Sequence, residues 1–212
     1  MEKITLFDLF NLGGVFMWPL LLFSVVTIAL IAERMIFIFT HNLSVRDIKD
    51  NVLTKLLNRD LGGAVEYLKN FNKRKLGAQV LFTGLDMAKL GEHRMEKAME
   101  SDASSKINQL ERGFNLLVAL GSIAPITGFL GTVSGMISAF RSIANATDVN
   151  AQLVANGIFE ALITTAYGLA IAIIAITGYN IFSHFVDKFT ADIEEAGSDV
   201  VNTVLNVYGK NK

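Results

Sequence analysis

The sequence predicts an all-α membrane protein with three transmembrane helices, and three observations support this prediction. Of the 212 residues, 51% are hydrophobic and only 18% are charged, whereas soluble domains usually carry about 25% charged residues. The apolar residues concentrate in three blocks, and the charges lie between and after these blocks. Each block contains roughly 18 or more uncharged residues in succession, enough for a helix to cross a hydrocarbon core of ~30 Å.

The composition also argues against several classes of function. The net charge is −1, whereas a nucleic-acid surface needs clustered positive charge. The chain has no cysteine, which excludes disulfides and thiolate metal sites. Its 3 histidines are scattered along the chain, which argues against a histidine metal site. The sequence also lacks the HExxH and GxSxG motifs of hydrolases. We therefore expect no metal, no cofactor and no enzymatic activity.

The first predicted span covers residues 15–39 and follows an N-terminal segment of residues 1–14. Trp18 near one end fits an aromatic anchor at the membrane interface. A cleaved signal peptide is the alternative, but the apolar stretch is longer than such a segment and no A-x-A-like site follows it. Glu33 and Arg34 close the uncharged stretch, and we interpret this pair as a helix-end boundary.

The second predicted span covers residues 114–140 and carries no charge. Pro125 lies inside this span, where it removes a backbone donor and can kink the helix. The third predicted span covers residues 158–186 and has a single acid near its start, Glu160. A buried helical hairpin of a soluble protein is the alternative, but uncharged runs of this length argue against it.

The distribution of Lys and Arg predicts the topology. Of the 19 basic residues, 13 lie in residues 40–113, whereas only Lys3 precedes the first span and only Arg141 lies in the connection 141–157. The positive-inside rule then places residues 40–113 and the tail 187–212 in the cytoplasm. The N-terminal segment 1–14 and the connection 141–157 are periplasmic, so the expected topology is N-out, C-in.

Helical periodicity continues beyond the membrane. Apolar residues recur at spacings of three and four over residues 95–114 and 186–207. We therefore expect the second and third helices to extend into the cytoplasm and to pack there through facing apolar stripes. Residues 44–92 are expected to form shorter helices, with a break at Gly62 and Gly63. No strand and no internal repeat is predicted.

The second and third spans carry hydroxyl side chains at matched depths. Thr132 lies eight residues before the end of one span and Thr165 seven residues after the start of the other, ~10–12 Å below the same surface. Ser122 and Thr177 match in the same way at greater depth. Hydroxyls can both donate and accept, as a proton or water path requires. Two packed helices also use them for mutual hydrogen bonds, so both interpretations stay open.

Small and acidic residues complete the candidate site. Gly128, Gly131 and Gly135 lie on adjacent turns, and Gly131 and Gly135 form a small-xxx-small pair that lets another helix approach closely. Glu160 either faces water at the membrane boundary or faces a cavity between subunits, where it would help to conduct protons. Because no acid lies deep in the bilayer, a carboxylate relay would need its central acid from a partner.

Two long motifs resemble those of the MotA/TolQ/ExbB proton-channel family. Residues 110–117 read LERGFNLL and residues 121–136 read GSIAPITGFLGTVSGM. Residues 157–169 read GIFEALITTAYGL, and Tyr179 and Asn180 follow where a matching pair is expected. Three spans rather than four favour the ExbB/TolQ branch. The resemblance covers essentially the whole chain, and we favour an ExbB-like role.

The resemblance implies a homopentamer in the bacterial inner membrane, with a central pore that holds two copies of a single-span ExbD/TolR-type partner. An aspartate of the partner takes up and releases protons, and a TonB/TolA-type protein can join the assembly. It also implies that Thr132 and Thr165 face that aspartate, that Glu160 lies near the periplasmic end of the pore and that Asn180 lies nearer the cytoplasm. The alternatives are a TolQ-like or gliding-type motor, or a small channel or transporter that works without a partner.

Overall fold

The computed structural model describes residues 13–71, 74–145 and 151–208, and it confirms the all-α prediction. Most of the N-terminal segment 1–14, part of the connection 141–157 and the last residues of the tail lie outside the described residues. The only extended pairing among the described residues is an isolated bridge between Asn42 and Lys75. The α-helices are α1 (Met17–Thr40), α2 (Arg46–Leu57), α3 (Leu61–Lys69), α4 (Leu76–Asp86), α5 (Glu92–Leu110), α6 (Phe114–Asn145) and α7 (Ala151–Tyr208), and Ala88–Leu90 form a 3-10 turn.

Three helical segments are long and apolar enough to cross a membrane, as the sequence predicts: α1, the segment that contains α6, and α7. Helix α7 continues without interruption for 58 residues. The predicted extension of the second span is interrupted, because α5 ends at Leu110 and α6 begins at Phe114. Gly113 between them has a φ of 89°, which glycine adopts readily because it has no Cβ.

The chain divides into two compact units. Unit 1 consists of Met1–Glu33 and Gly113–Asn180, and unit 2 consists of Arg34–Arg112 and Ile181–Lys212. In unit 1, Met17 and Leu20 of α1 form a buried cluster with Ala124 of α6 and Ile171 of α7. This cluster holds α1 against the pair of helices that carries the candidate site.

Unit 2 has a core of large apolar side chains. Ile48, Leu56 and Leu81 are fully buried, as are Val200 and Ala196 in the second half of α7. The buried positions of α2 and α7 recur every three or four residues, which is why these segments form amphipathic helices. The apolar stripes predicted for α5 and α7 are therefore largely buried, although Ala103 and Ile107 of α5 remain half-buried.

Two local predictions in unit 2 are wrong, and the first is the break at Gly62 and Gly63. The chain turns before these glycines and not at them, because α3 begins at Leu61. The Asp60 side chain caps this helix by accepting a hydrogen bond of 2.7 Å from the Gly63 amide, and an aspartate at this position stabilises a helix start. Arg59 just before it has a φ of 61°, so the reversal is made at residues 58–60.

The second wrong prediction is that Glu33 and Arg34 mark a helix end. Helix α1 continues past this pair to Thr40, and Arg34 is 4% exposed. Its Nη1 donates hydrogen bonds to the carbonyl oxygens of Gln109 at 2.9 Å and Leu110 at 3.4 Å, and its guanidinium lies 4.9 Å from the ring centre of Phe37. A cation therefore stabilises the C-terminal end of α5, where the last carbonyls lack partners within the helix.

An ion pair joins α2 to α7 within unit 2. Lys49 Nζ lies 2.7 Å from Glu195 Oε1 and 2.9 Å from Asp199 Oδ2. These hydrogen bonds raise the pKa of Lys49 well above its ordinary value, and the bond to Glu195 contributes more than the bond to Asp199. Both favour the charged form of the lysine.

Candidate functional site

Glycines bring α6 and α7 of unit 1 into backbone contact. A Cβ added to Gly128 would lie 2.6 Å from the carbonyl oxygen of Thr164 and 3.1 Å from Cα of Thr165. One added to Gly131 would lie 2.5 Å from Thr164 Oγ1. Gly135 lies against α7 in the same way. The structure thus places all three predicted packing glycines at one helix–helix contact. A Cβ would overlap the neighbouring atoms at Gly128 and Gly131 and would be tightly packed at Gly135, 3.2 Å from Ala161 Cβ.

Helix α7 contributes glycines that the sequence analysis did not select. A Cβ on Gly168 would lie 2.5 Å from the carbonyl oxygen of Ala124, and one on Gly157 would lie 2.5 Å from Cβ of Ala139. The contact therefore has small residues on both sides over several turns. Pro125 lies within this stretch, and α6 remains helical through it.

The hydroxyls of Thr132 and Thr165 meet at this contact. The two hydroxyls are hydrogen-bonded to each other, and each also lies within hydrogen-bond distance of a carbonyl oxygen of the opposite helix. Thr132 Oγ1 lies 3.0 Å from the carbonyl oxygen of Ala161, and Thr165 Oγ1 lies 3.2 Å from that of Gly128. Because each hydroxyl has one proton, one threonine donates to the other, which in turn donates to its carbonyl. Both threonines are only part-buried. The close approach of the two backbones is thus what joins the hydroxyls, and it leaves both of them accessible from outside the chain.

Thr164 next to them has a packing role. It is 1% exposed, and its Oγ1 donates to the carbonyl oxygens of Ala161 at 2.8 Å and Gly128 at 3.2 Å. Its hydroxyl is thus bonded within the helix pair. Adjacent threonines on α7 therefore differ in exposure, and only Thr165 reaches a surface.

Ser122 and Thr177 lie at the matched depth that the sequence predicts, but the structure does not join them. Gly121 and Ile176 of the same layers are in contact, since a Cβ on Gly121 would lie 2.7 Å from Ile176 Cγ1. Ser122 Oγ donates to the carbonyl oxygen of Val118 in its own helix at 3.0 Å. Ser122 and Thr177 are both exposed, and among the described residues their hydroxyls are not bonded to each other.

Glu160 and Asn180 lie at opposite ends of the membrane part of α7. Glu160 is half-buried, and its carboxylate lies against Gly14 in the turn before α1. Gly14 has a φ of 67°, and a Cβ there would overlap the carboxylate. Asn180 is exposed, and Tyr179 before it packs edge-on against Phe114 at 5.8 Å.

Polar groups of α1 are a part of unit 1 that the sequence analysis missed. Tyr167 Oη donates to Ser24 Oγ at 3.1 Å. Thr27, one turn further along α1, is 1% exposed, and its hydroxyl has no partner among the described residues. The spacing of three between Ser24 and Thr27 within an apolar span is the signal that could have indicated them.

The site is built from neutral groups. Hydroxyls and backbone carbonyls form its centre, and Glu160 is its only acid among the described residues. No group of three or more His, Asp or Glu residues in the described part of the chain is placed to hold a metal ion. Such a surface can form hydrogen bonds to a polar or charged group. The chain's own carboxylates, however, do not form a proton relay across it.

Several known proteins are similar to this chain in sequence. The chain is 29% identical over 187 residues to biopolymer transport protein exbB1 of Vibrio cholerae, and the aligned region covers 85% of this chain and 80% of that protein. It is 30% identical over 191 residues to biopolymer transport protein ExbB of Salmonella typhimurium, covering 86% and 77%. It is 37% identical over 105 residues to the Tol-Pal system protein TolQ of Haemophilus influenzae, covering 44% and 46%.

Residues 72–195 match the MotA/TolQ/ExbB proton channel family. The matched region includes α5, all of α6 and the part of α7 that carries Thr165, so it contains the helix contact and the hydroxyl pair described above. The three relatives named above are ExbB and TolQ proteins. This chain therefore belongs to the MotA/TolQ/ExbB proton channel family, in its ExbB/TolQ branch.

Proposed function

We propose that this chain is the channel-forming subunit of an inner-membrane motor that uses the proton motive force to energise TonB-type transport across the outer membrane. The printed names of its Vibrio and Salmonella relatives, both biopolymer transport proteins, support this role. The observation that carries the proposal is the pair of part-buried hydroxyls, Thr132 and Thr165, held together across α6 and α7.

The proposed assembly is a homopentamer that surrounds two copies of a single-span ExbD/TolR-type partner, with a TonB/TolA-type protein alongside. Its topology is N-out, C-in. Large apolar side chains of α6 and α7 are exposed on the single chain, among them Phe129 at 62%, Ile137 at 63% and Ile173 at 67%. Lipid and neighbouring copies would cover them.

The proposed mechanism follows from the cost of charge in a membrane. An ionised carboxylate of the partner is costly in the bilayer, and protonation removes that cost. Hydroxyls on the pore wall at Thr132 and Thr165 can donate to the ionised form and accept from the protonated form. The protonation state would then bias where the partner helix rests, and re-ionisation on the other side would prevent its return.

The remaining polar residues would complete the path. Glu160 would attract protons near the periplasmic end, and Asn180 would hydrate the cytoplasmic end. Ser122 and Thr177, which are exposed at the same depth, would line the wall between them from separate positions. The proton is the proposed coupling ion, and no cofactor is required.

The test is a double substitution, Thr132→Val with Thr165→Val, in cells that contain the partner proteins. Valine keeps the shape and removes the hydroxyls. We expect at least a tenfold loss of energy-dependent uptake with unchanged protein level. A tenfold change corresponds to a free-energy difference of ~1.4 kcal/mol. Thr127→Val is the matched control, because within the described ranges Thr127 donates only to Ile123 of its own helix, at 3.0 Å. Full activity of the double variant would contradict the proposal.

A TolQ-like role in Tol-Pal envelope maintenance is the second candidate within the family. The identity to Haemophilus TolQ, 37%, is higher than to the ExbB relatives but extends over only 44% of this chain. Complementation of strains that lack either the ExbB or the TolQ subunit decides between the two. A channel that works without a partner is the candidate from another class, and it would give proton flux when the chain is reconstituted alone.

A further inference from the structure

A groove of about 500 Å³ lies in unit 2 between α5 and the last part of α7. Its floor is apolar and includes Met99 and Ile107 of α5 and Ile193 and Val201 of α7. Ile107 is half-buried on the single chain. Met99, Ile193 and Val201 are buried, whereas Ala103 of α5 and Gly197 of α7 are half-buried like Ile107. The predicted packing of the two helices is thus incomplete at these three half-buried positions, which remain accessible to another molecule.

Two polar rims border this floor with a helical repeat. On α5 the lining residues Glu96, Glu100 and Ser104 are four residues apart, and on α7 Glu194 and Ser198 are four residues apart. Residues at this spacing lie on one face of a helix. All three charged residues that line the groove in the described part of the chain are glutamates, and all three are exposed. The rims therefore carry negative charge on both sides of an apolar floor.

Gly197 lies in the floor, and the internal packing of the chain does not require a glycine there. A Cβ at this position would meet only Met99 Sδ, at 3.5 Å, an ordinary contact distance. At Gly84, by contrast, a Cβ would overlap the Met99 side chain. A small residue in an open floor lets another backbone approach closely, as small residues do at helix–helix contacts.

We propose that the α5–α7 groove binds a basic amphipathic helix of a different polypeptide. The apolar face of that helix would contact Ala103, Ile107 and Gly197, and its Lys or Arg side chains would pair with Glu96, Glu100 and Glu194. This is the helix-in-groove mode of recognition, in which apolar residues at helical spacing supply affinity. The distance from Glu96 to Asn108 along α5 is ~18 Å at ~1.5 Å per residue, which suits about three turns of a bound helix.

The test uses the full chain in nanodiscs of phosphatidylcholine, a lipid without net charge. The probe is a fluorescein-labelled helical peptide of about 15 residues, ~22 Å long, with leucines at spacings of three and four and lysines on both flanks. A second peptide has glutamates in place of the lysines. We expect anisotropy to show that the basic peptide binds at least tenfold more tightly than the acidic one. Its affinity should fall with rising salt, because exposed charges are screened.

Variants locate the binding. We expect the triple variant E96Q/E100Q/E194Q to weaken binding of the basic peptide by about tenfold, since three exposed ion pairs are lost. The matched control D47N/E66Q/E92Q removes three exposed acids outside the groove and should bind normally. Gly197→Leu fills the floor and should abolish binding, whereas Gly197→Ala should leave the melting temperature unchanged. Equal binding by both triple variants, or equal binding of both peptides, would overturn the proposal.

A second copy of this chain is the competing occupant, and a cysteine probe distinguishes it. The chain has no cysteine, so Ser104→Cys introduces a sole thiol on the α5 rim. If the groove is open to a partner, maleimide labels this thiol rapidly and the basic peptide slows the labelling. A thiol that is already protected without peptide would show that a neighbouring copy covers the groove, which overturns the assignment to a different polypeptide.

Discussion

Units 1 and 2 hold their helices together by different means. In unit 1, α6 and α7 meet through glycines such as Gly128, and hydroxyls bond to the backbone of the opposite helix. In unit 2, large apolar side chains such as Leu81 are fully buried. Apolar burial drives packing in water, whereas helices in lipid gain little from it and associate through close contact and hydrogen bonds. Unit 1 therefore has the helix packing that is typical of membrane-spanning segments.

The largest effect on stability is expected from a cavity in unit 2. Leu81→Ala removes a fully buried side chain and should lower the free energy of unfolding by about 2–5 kcal/mol. Leu57→Ala is the matched control, because Leu57 is 66% exposed, and it should cost less than about 0.5 kcal/mol. Denaturant unfolding of the full chain in detergent, followed by circular dichroism, measures both. Equal loss in the two variants would mean that the core of unit 2 is wrongly placed.

In unit 1 an added methyl group should also destabilise the protein, though less than the lost side chain does in unit 2. Gly128→Ala places Cβ 2.6 Å from the carbonyl oxygen of Thr164, a backbone atom that cannot move aside. We expect a loss of about 1–3 kcal/mol, measured as a lower melting temperature in detergent. Gly62→Ala in unit 2 is the control, since its Cβ would meet only Asp60 Oδ1 at 4.0 Å. A Gly128→Ala protein as stable as the control would exclude backbone contact between α6 and α7.

Arg34 supplies unit 2 with a polar contact of its own. Arg34→Met keeps the apolar stem but leaves the carbonyls of Gln109 and Leu110 without this donor, and a buried unsatisfied acceptor costs about 1–3 kcal/mol. Hydrogen exchange should show faster opening of the last turn of α5. Arg34→Lys keeps the charge and one donor and should lose less. If methionine and lysine behave alike, the hydrogen bonds do not stabilise this helix end.

The smallest effect is expected at the Lys49 ion pair, whose two carboxylates are exposed. Lys49→Met should lower stability slightly at low salt and not at all at high salt, because salt screens such pairs. Since the folded state raises the pKa of Lys49 from its ordinary value of 10.5, the stabilisation is complete below pH 10.5 and is lost only as the pH rises further. Unfolding measured at neutral and at strongly alkaline pH checks this sign. A difference between wild type and variant that grows above pH 10.5 would contradict it.

The sequence predicted the fold well where one signal dominates. Uncharged runs long enough to span a bilayer predicted the three membrane helices, and helical spacing predicted the paired depth of Thr132 and Thr165. What it could not predict depends on side-chain direction and on contacts distant in sequence. Ser122 and Thr177 have the same depth match but face outward separately. Arg34 looked like a boundary, because its partners lie 75 and 76 residues further along the chain.

The central claim is that the Thr132–Thr165 pair forms part of a wall along which protons move only when a partner supplies the acid. Proton flux into liposomes with an imposed pH gradient tests this most directly, with the chain reconstituted alone, with an ExbD-type partner, and as the Thr132→Val/Thr165→Val variant with that partner. We predict flux only for the wild-type chain with its partner. Equal flux from the chain alone, or from the double variant with its partner, would contradict the account.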